Sequence, residues 1–194
     1  MTTSPRPSLP GTPAPGDLEL TAGDDLVLRR HRADDVPGIV AQCIDPVSVE
    51  YTIVPTPYGT EQAEAFVAMC RRDWEAGTAA AFAVVVDGRF AGTVDLQLRE
   101  AGWAEVGFGL GPWARGRGVG VRAVRRVLRW GFDDLGLEGV HWRAHVGNHA
   151  TRRTAERCGV RVEGEVRGLL VQRGRRRDGW IGSVRRGDDL EPAV

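Results

Sequence analysis

The sequence predicts an α/β (α+β) fold, with a mixed central sheet that contains an antiparallel meander and is flanked by helices. The chain has 194 residues, of which 42% are hydrophobic, so it can bury one substantial core. Strand-like runs alternate with amphipathic helical patterns along it. We expect a single domain over residues 18–190, a disordered proline-rich tail over 1–17 and a short tail over 191–194.

The first predicted elements are a strand, a helix and a loop. Residues 26–30 are strand-like, and Asp34 or Asp35 can cap a helix that ends at Pro46. Prolines and a glycine within residues 46–60 predict an extended loop.

A second helix is predicted from Thr60 to Gly77. Phe66, Cys70 and Trp74 fall four residues apart, which places them on one helical face. The glycine at its end is a common helix terminator.

A hairpin and a third strand then form the predicted meander. The hairpin strands cover residues 81–86 and 90–98 and are joined by a turn at 87–88. The third strand covers residues 103–110.

A glycine-rich turn follows the third strand and opens an arginine-rich amphipathic helix that is predicted to end at Gly136. Gly116, Gly118 and Gly120 can adopt backbone angles that a Cβ forbids, so N–H groups from Arg115 onward can converge on one anion. The positive end of the helix dipole favours the same anion. The turn therefore predicts a phosphate site.

Two common phosphate-binding motifs do not fit this turn. The turn lacks the Gly-Lys-Ser/Thr ending of a nucleotide-hydrolysing P-loop, since Val119 and Val121 flank its last glycine. Gly107, Gly109 and Gly111 are spaced by two, which does not match the dinucleotide fingerprint.

The C-terminal part is predicted to complete the sheet. Residues 140–146 form a strand parallel to residues 103–110, and a short helix over 150–157 follows. Two closing strands cover residues 160–171 and 180–185.

Composition argues against several partners. Basic and acidic residues number 26 each, so no overall charge attracts nucleic acid or an anionic membrane. No apolar run is long enough for a membrane span or a signal peptide. The 3 cysteines are too few for a disulfide framework, and the 4 histidines lack metal-ligand spacing. We expect no metal and a reducing, cytoplasmic compartment, and we leave the oligomeric state open, a homodimer included.

The spacing Arg115-x-x-Gly118-x-Gly120, after a strand and before a helix, resembles the acyl-coenzyme A signature of the GNAT-type N-acetyltransferases. The resemblance extends from about Leu26 to Leu190 and is strongest to the RimJ/RimL-like subgroup. Other matching segments, in the family's order, include Leu26-Val-Leu-Arg29, Pro57-Tyr58, Ala91-Gly-Thr-Val94, Ala104-Glu-Val-Gly-Phe108, Gly147-Asn148-His-Ala-Thr151, Cys158-Gly-Val160 and Glu163-Gly164.

The resemblance implies an enzyme that transfers an acyl group, most simply acetyl from acetyl-coenzyme A, to a primary amine by direct attack in a ternary complex. The acceptor is a protein N-terminus or a small-molecule amine, selected by the loops at 46–60, 99–103 and 173–179. The competing hypothesis is a non-catalytic acyl-coenzyme A sensor or interaction domain on the same scaffold.

The resemblance also implies a donor site in which the strand over 103–110 is splayed from its parallel neighbour and its backbone pairs with pantetheine. Gly107 and Gly109 indicate a bulge or a close backbone approach in that strand, and plain packing under a tryptophan is the alternative. The residues expected to bind coenzyme A are Phe108, Leu110, Arg115, Gly116, Arg117, Gly118, Val119, Gly120, Asn148 and Arg153; Arg122 and Arg152 are further candidates for the phosphates.

Glu105 is the expected general base, because an amine must be neutral to attack and Glu105 matches the position where relatives carry Glu. The alternative is a solvated glutamate paired with an arginine, with Glu163 as the second candidate base.

The leaving thiolate needs a hydrogen bond, and many relatives supply it from a tyrosine where this chain has Ala155. Relatives of the RimJ/RimL type carry Asn-x-x-Ser, which here is Asn148-x-x-Thr151. We therefore expect Thr151 to support the sulfur and Asn148 to contact pantetheine or the local backbone. The alternative is that both residues only start the following helix.

Overall fold

The computed structural model describes residues 18–99 and 102–192, so the predicted tail over 1–17 and the last two residues lie outside it. In this part of the chain, eight strands form one sheet: β1 (Glu19–Thr21), β2 (Leu26–Arg30), β3 (Ala79–Val86), β4 (Arg89–Leu98), β5 (Trp103–Leu110), β6 (Gly139–His145), β7 (Arg161–Gln172) and β8 (Arg175–Arg185). The helices are α1 (Val36–Cys43), α2 (Pro46–Tyr51), α3 (Thr60–Ala76), α4 (Val119–Asp133) and α5 (His149–Arg157).

The strands are arranged in the order β1-β2-β3-β4-β5-β6-β8-β7. All neighbours are antiparallel except β5 and β6, which are parallel and connected through α4. The predicted mixed sheet, with its meander from β3 to β5 and its βα unit, is confirmed.

Helix α4 covers one face of the sheet, which we call the α4 face. Phe82 of β3 meets Trp130 of α4 edge to face, with ring centroids 5.3 Å apart. Gly131 lets α4 approach β4 closely, because an added Cβ would lie 3.0 Å from Leu96. Full burial of large apolar side chains stabilises the fold by about 1.5–3 kcal/mol each, so this layer is the main core.

Helices α1 and α3 cover the opposite face, which we call the α1/α3 face. A smaller buried cluster joins the two helices and consists of Val36, Ile39, Cys43, Ala63 and Val67. His31 extends from β2 toward this layer and contacts the ring of Phe66.

Three elements differ from the sequence prediction. Part of the loop predicted over residues 46–60 is the helix α2, because Asp45 caps it by accepting a hydrogen bond from Ser48 N and Pro46 occupies its first position. The edge strand β1 was not predicted. Strand β8 begins at Arg175 and not near residue 180, since the exposed arginines pair with β7 in register.

The parallel pair β5–β6 separates partway along its length. Pairing runs from Trp103 with Gly139 to Val106 with Trp142 and then stops. Strand β5 continues to Leu110, paired on its other edge with β4 in an unbroken register, so β5 contains no bulge against β4. The gap between residues 107–110 of β5 and 143–145 of β6 is called the wedge below.

None of the described helices is both long enough and apolar enough to cross a membrane. The described His, Cys, Asp and Glu side chains form no group that could hold a metal ion.

Candidate active site

The glycine-rich turn lies between the end of β5 and the start of α4, beside the wedge. Gly116 and Gly118 have φ angles of 72° and 74°, in the left-handed region that glycine adopts without strain. Gly120 is helical instead, and an added Cβ there would lie 3.4 Å from both Leu110 and Thr154. Thus two of the three glycines shape the turn, and the third permits close packing of α4 against β5 and α5.

The backbone of this turn presents unused hydrogen-bond donors. Within the described part of the chain, the N–H groups of residues 116–121 have no protein acceptor. Residues with left-handed φ angles alternate with residues of ordinary φ in this turn, and such alternation points successive N–H groups toward one side. The last of these N–H groups lie at the N-terminus of α4. This arrangement fits an anion such as a pyrophosphate.

Several arginines predicted to neutralise phosphates have protein partners. The Arg115 guanidinium is 2.7 Å from Asp45 and also donates to Ser48 and to the Leu110 carbonyl. Arg122 makes a two-pronged ion pair with Asp25.

On α5, Arg152 pairs with Glu156 and lies over the ring of Trp180. Arg117 lies over the ring of Trp113 and has no hydrogen bond or ion pair within the described part of the chain, and Arg153 is exposed and has no polar partner there either. Arg117 and Arg153 are therefore the arginines available to a bound anion.

The start of α5 shows how Asn148 and Thr151 are used. Asn148 is the N-cap, and its side-chain oxygen accepts a hydrogen bond of 3.3 Å from Thr151 N. The Thr151 hydroxyl has no hydrogen-bond partner among the described residues. Because Thr154, one turn later, packs against Gly120, this side of α5 faces the start of α4. Asn148 alone caps the helix, which leaves the Thr151 hydroxyl available to a ligand.

Tyr51 contacts the segment before α5, although the sequence did not indicate it as a candidate site residue. Its hydroxyl donates to the Gly147 carbonyl at 3.4 Å, immediately before α5. Burial and the neighbouring Glu50 raise the pKa of Tyr51, so it stays a protonated donor. No local signal indicated this contact, because it depends on α2.

Glu105 faces the α1/α3 side of β5 and is held by two arginines. Arg143 of β6 donates to both carboxylate oxygens at 2.7–3.0 Å, and Arg99 donates to one of them at 3.2 Å. The pair with Arg143 joins β5 to β6 next to the wedge. Glu163 lies farther away on the edge strand β7, where Ser183 of β8 donates to it.

Asp95 of β4 was not predicted as a site residue, yet it lies opposite Gly107, whose other edge borders the wedge, and on the same face as Glu105. Gln97 donates to it at 3.2 Å. Burial and the nearby Glu105 raise the pKa of Asp95 to about 7.

A surface cavity of about 370 Å³ lies between α1 and the turn after β5, with Gly38, Gln42, Arg89, Phe90 and Trp113 among its lining residues. It lies on the β4 side of β5 and contains neither Glu105 nor Thr151, so we assign no reacting group to it.

Comparison with known proteins agrees with this geometry. A family model described as an acetyltransferase (GNAT) domain matches residues 25–161. The putative ribosomal N-acetyltransferase YdaF of Bacillus subtilis (strain 168) is 30% identical over 99 residues, which are 49% of this chain and 53% of that protein. This match therefore spans about half the length of that relative.

Two further similarities cover most of the chain. The uncharacterized N-acetyltransferase p20 of Bacillus licheniformis is 23% identical over 171 residues, which are 86% of this chain and 96% of that protein. The crystal structure of the ribosomal alpha-N-protein acetyltransferase RimL in complex with coenzyme A has a TM-score of 0.79 and 16% identity, over 87% of this chain and 98% of that one.

Proposed function

Because the chain belongs to the acetyltransferase (GNAT) family, which its residues 25–161 match, we propose that it transfers an acetyl group from acetyl-coenzyme A to a primary amine. The observation that carries the proposal is the row of N–H groups over residues 116–121, unpaired within the described chain and next to the wedge. Free backbone N–H groups at a helix N-terminus can bind a phosphate, and the unpaired edge of a neighbouring strand can bind an extended chain. Together they suit a long ligand that has a phosphate group at one end and an extended chain at the other.

The residues that are present fit this donor. The amides of residues 116–121 would hold its pyrophosphate, with Arg117 and Arg153 near the remaining phosphate charge. The free edge of β5, around Phe108 and Leu110, would pair with its extended part, although the Leu110 carbonyl already accepts a bond from Arg115. Acetyl-coenzyme A, when bound, supplies the acetyl thioester.

Two groups would act where charge develops during transfer. A backbone N–H of β5 at the wedge would hydrogen-bond the carbonyl oxygen as it becomes negative. The Thr151 hydroxyl would hydrogen-bond the departing sulfur, which fits its lack of a partner among the described residues. Glu105 remains the base predicted from the sequence, but its two arginine partners compete for the lone pairs that would take the amine's proton.

The proposed acceptor is a protein N-terminus. This is supported by the relatives whose names refer to ribosomal proteins, and a small-molecule amine is the other candidate. We also propose a cytoplasmic location, supported by three cysteines that are buried and unpaired.

The test is a thiol-release assay on the full chain with acetyl-coenzyme A. The amine panel contains a tripeptide amide that begins with alanine, spermidine and an aminoglycoside, and mass spectrometry identifies the product. We expect thiol release that depends on the amine, with the tripeptide as the preferred acceptor. Coenzyme A binding by calorimetry without thiol release from any amine would contradict the enzyme and favour the sensor.

A further inference from the structure

Asp95 reaches toward the wedge across the backbone of β5. It pairs in register with Gly107, the first residue of β5 beyond the last pair with β6. An ideal Cβ on Gly107 would lie 2.5 Å from Asp95 Oδ1. The carboxylate thus occupies the space that a side chain at 107 would need. Because residue 107 is glycine, no side chain from that position separates the carboxylate from the wedge.

Asp95 differs from Glu105 in having no ion-pair partner among the described residues. Its hydrogen bond comes from Gln97, which is neutral. The charged and titratable groups that face it are Glu105 of β5, Arg99 just after β4, and Asp73 and Cys70 of α3. Burial, together with the carboxylates of Glu105 and Asp73, raises its pKa to about 7. A carboxylate with such a pKa can take up and release a proton at neutral pH.

Two further polar side-chain atoms on the same face have no hydrogen-bond partner among the described residues. Gln42 of α1 lies over Gly109, with its Nε2 atom 3.0 Å from the ideal Cβ position, and its Oε1 atom is buried without a hydrogen-bond partner among the described residues. His145, the last residue of β6, is 7% exposed and its Nδ1 atom is likewise unpartnered in the described chain. Burial and Arg177 lower the pKa of His145, which favours the neutral ring. Buried polar atoms are nearly always satisfied, so these two atoms indicate a further partner. Both accept hydrogen bonds when the proton of His145 is on Nε2, which fits a ligand that donates.

An ammonium group has three donors and no acceptor, which matches this surplus of acceptors. On these contacts we propose that Asp95 binds the ammonium group of the acceptor on the α1/α3 side of the wedge and removes the proton that the amine must lose. The inference rests on the proposed function and assigns the base within it.

The proton and electron balance is complete without another reactant. The ammonium gives one proton to the Asp95 carboxylate, and the nitrogen lone pair then forms the C–N bond to the thioester carbonyl carbon. The C–S bond breaks with its electron pair on sulfur, and the second proton lost by nitrogen ends on that sulfur. Asp95 finally releases its proton to water, so the products are an amide, a thiol and one proton. In this scheme the pair of Glu105 and Arg143 keeps β5 and β6 in position.

The first experiment compares pH profiles of kcat/KM for the full chain, with acetyl-coenzyme A and the alanine tripeptide amide. We expect Asp95→Asn to lower kcat/KM at neutral pH by about 100-fold or more, the usual size of a general-base effect, with unchanged affinity for coenzyme A. The wild-type rate should level off above about pH 7, whereas the rate of the variant should keep rising as more of the amine is neutral in solution. Asp133→Asn, an exposed site on α4, is the matched control and should change nothing.

A second variant covers a folding defect in the first. Gly107→Ala puts a methyl group 2.5 Å from Asp95 Oδ1 and should displace the carboxylate, with the same loss of kcat/KM. If the wild type is active and Asp95→Asn stays within threefold of it, the proposal is wrong. If His145→Gln, and not Asp95→Asn, loses the plateau of the rate above about pH 7, the proposal is also wrong and His145 is the base.

A binding measurement separates this inference from the proposed function. Carbon-13 NMR of the aspartate carboxyls, with Asp95 assigned by its absence in Asp95→Asn, is recorded for the full chain with coenzyme A. Methylammonium should shift the Asp95 signal and lower its midpoint pH, and methanol should do neither. If no amine in the panel releases thiol, the proposed function fails, and this titration still tests the site. An Asp95 signal that ignores methylammonium would refute the subsite.

Discussion

Gly118 is a position where a negative charge can be added beside the expected pyrophosphate without a clash. Its φ angle is 74°, and an added Cβ would have no protein atom within 4 Å. Asn and Asp are the residues that best tolerate this left-handed conformation, and they have nearly the same shape. A comparison of Gly118→Asn with Gly118→Asp therefore isolates charge from backbone strain.

The size of the charge effect follows from Coulomb's law. A carboxylate about 6 Å from an anion of two charges costs about 1.4 kcal/mol at the dielectric constant of water, and more if the site is partly dehydrated. That energy is about a tenfold loss of affinity. We therefore expect Gly118→Asp to bind coenzyme A at least about tenfold more weakly than Gly118→Asn, and the difference to shrink as salt is added.

Calorimetry at low salt measures this difference. Pantetheine, which lacks the phosphates, serves as the control ligand and should bind both variants alike. Gly174 is the matched control position, because it has a similar left-handed φ angle of 73° and open space but lies in the turn between β7 and β8. Equal affinities of two folded Gly118 variants for coenzyme A would refute the phosphate site.

Three further predictions concern the wedge. Glu105→Gln and Arg143→Gln should cause similar losses of turnover, and the losses should not add in the double variant, because both substitutions break the same ion pair. A loss of about 100-fold in Glu105→Gln that Arg143→Gln does not share would identify Glu105 as the base instead. Thr151→Ser should keep activity, and Thr151→Val should lose activity without a lower melting temperature. Asn148→Ala should lose about 1 kcal/mol of stability, because it removes the helix cap. An active Thr151→Val would show that Thr151 has no catalytic role. The pKa of Asp95 is raised above its unfolded value, so its contribution to stability is complete below about pH 4 and is lost as pH rises to about 7. Chemical denaturation should therefore show a smaller fall in the free energy of unfolding over this pH range in Asp95→Asn than in the wild type. An equal fall in both proteins would contradict the raised pKa.

The sequence predicted those parts of the fold that have a local signal. The strand β2, the hairpin of β3 and β4 and the helix α3 follow from alternation, a two-residue turn and four-residue spacing, and all are present. Helix α2 does not follow from the sequence, because Pro46 fits the end of one helix as well as the start of another after a capping aspartate. The three-residue strand β1 is too short to show a period.

The site was predictable in its backbone and less so in its side chains. The turn at residues 116–118 needs left-handed angles, and glycine spacing reports that requirement directly. Arg143, a partner of Glu105, is 38 positions away along the chain, and Ser48, a partner of Arg115, is 67 positions away. No spacing rule therefore reveals these pairs. The surroundings of Asp95 likewise depend on the tertiary structure, which brings Asp73 and Cys70 of α3 close enough to affect it.

The glycines of the turn indicate the proposed donor site more directly than the arginines do. Arg115 belongs to the signature spacing, yet its guanidinium is bound to Asp45 and to the Leu110 carbonyl, where it connects α2 to the end of β5. The anion would then be held mainly by backbone N–H groups. Every residue except proline has such a group, so the backbone conformation of the turn decides whether the groups point toward the anion. Binding should therefore be more sensitive to the angles at Gly116 and Gly118 than to the number of arginines nearby. The Arg115 guanidinium also donates to Ser48 of α2, and Tyr51, the last residue of α2, donates to the Gly147 carbonyl just before α5, so one side chain of the glycine-rich turn helps to position both helices.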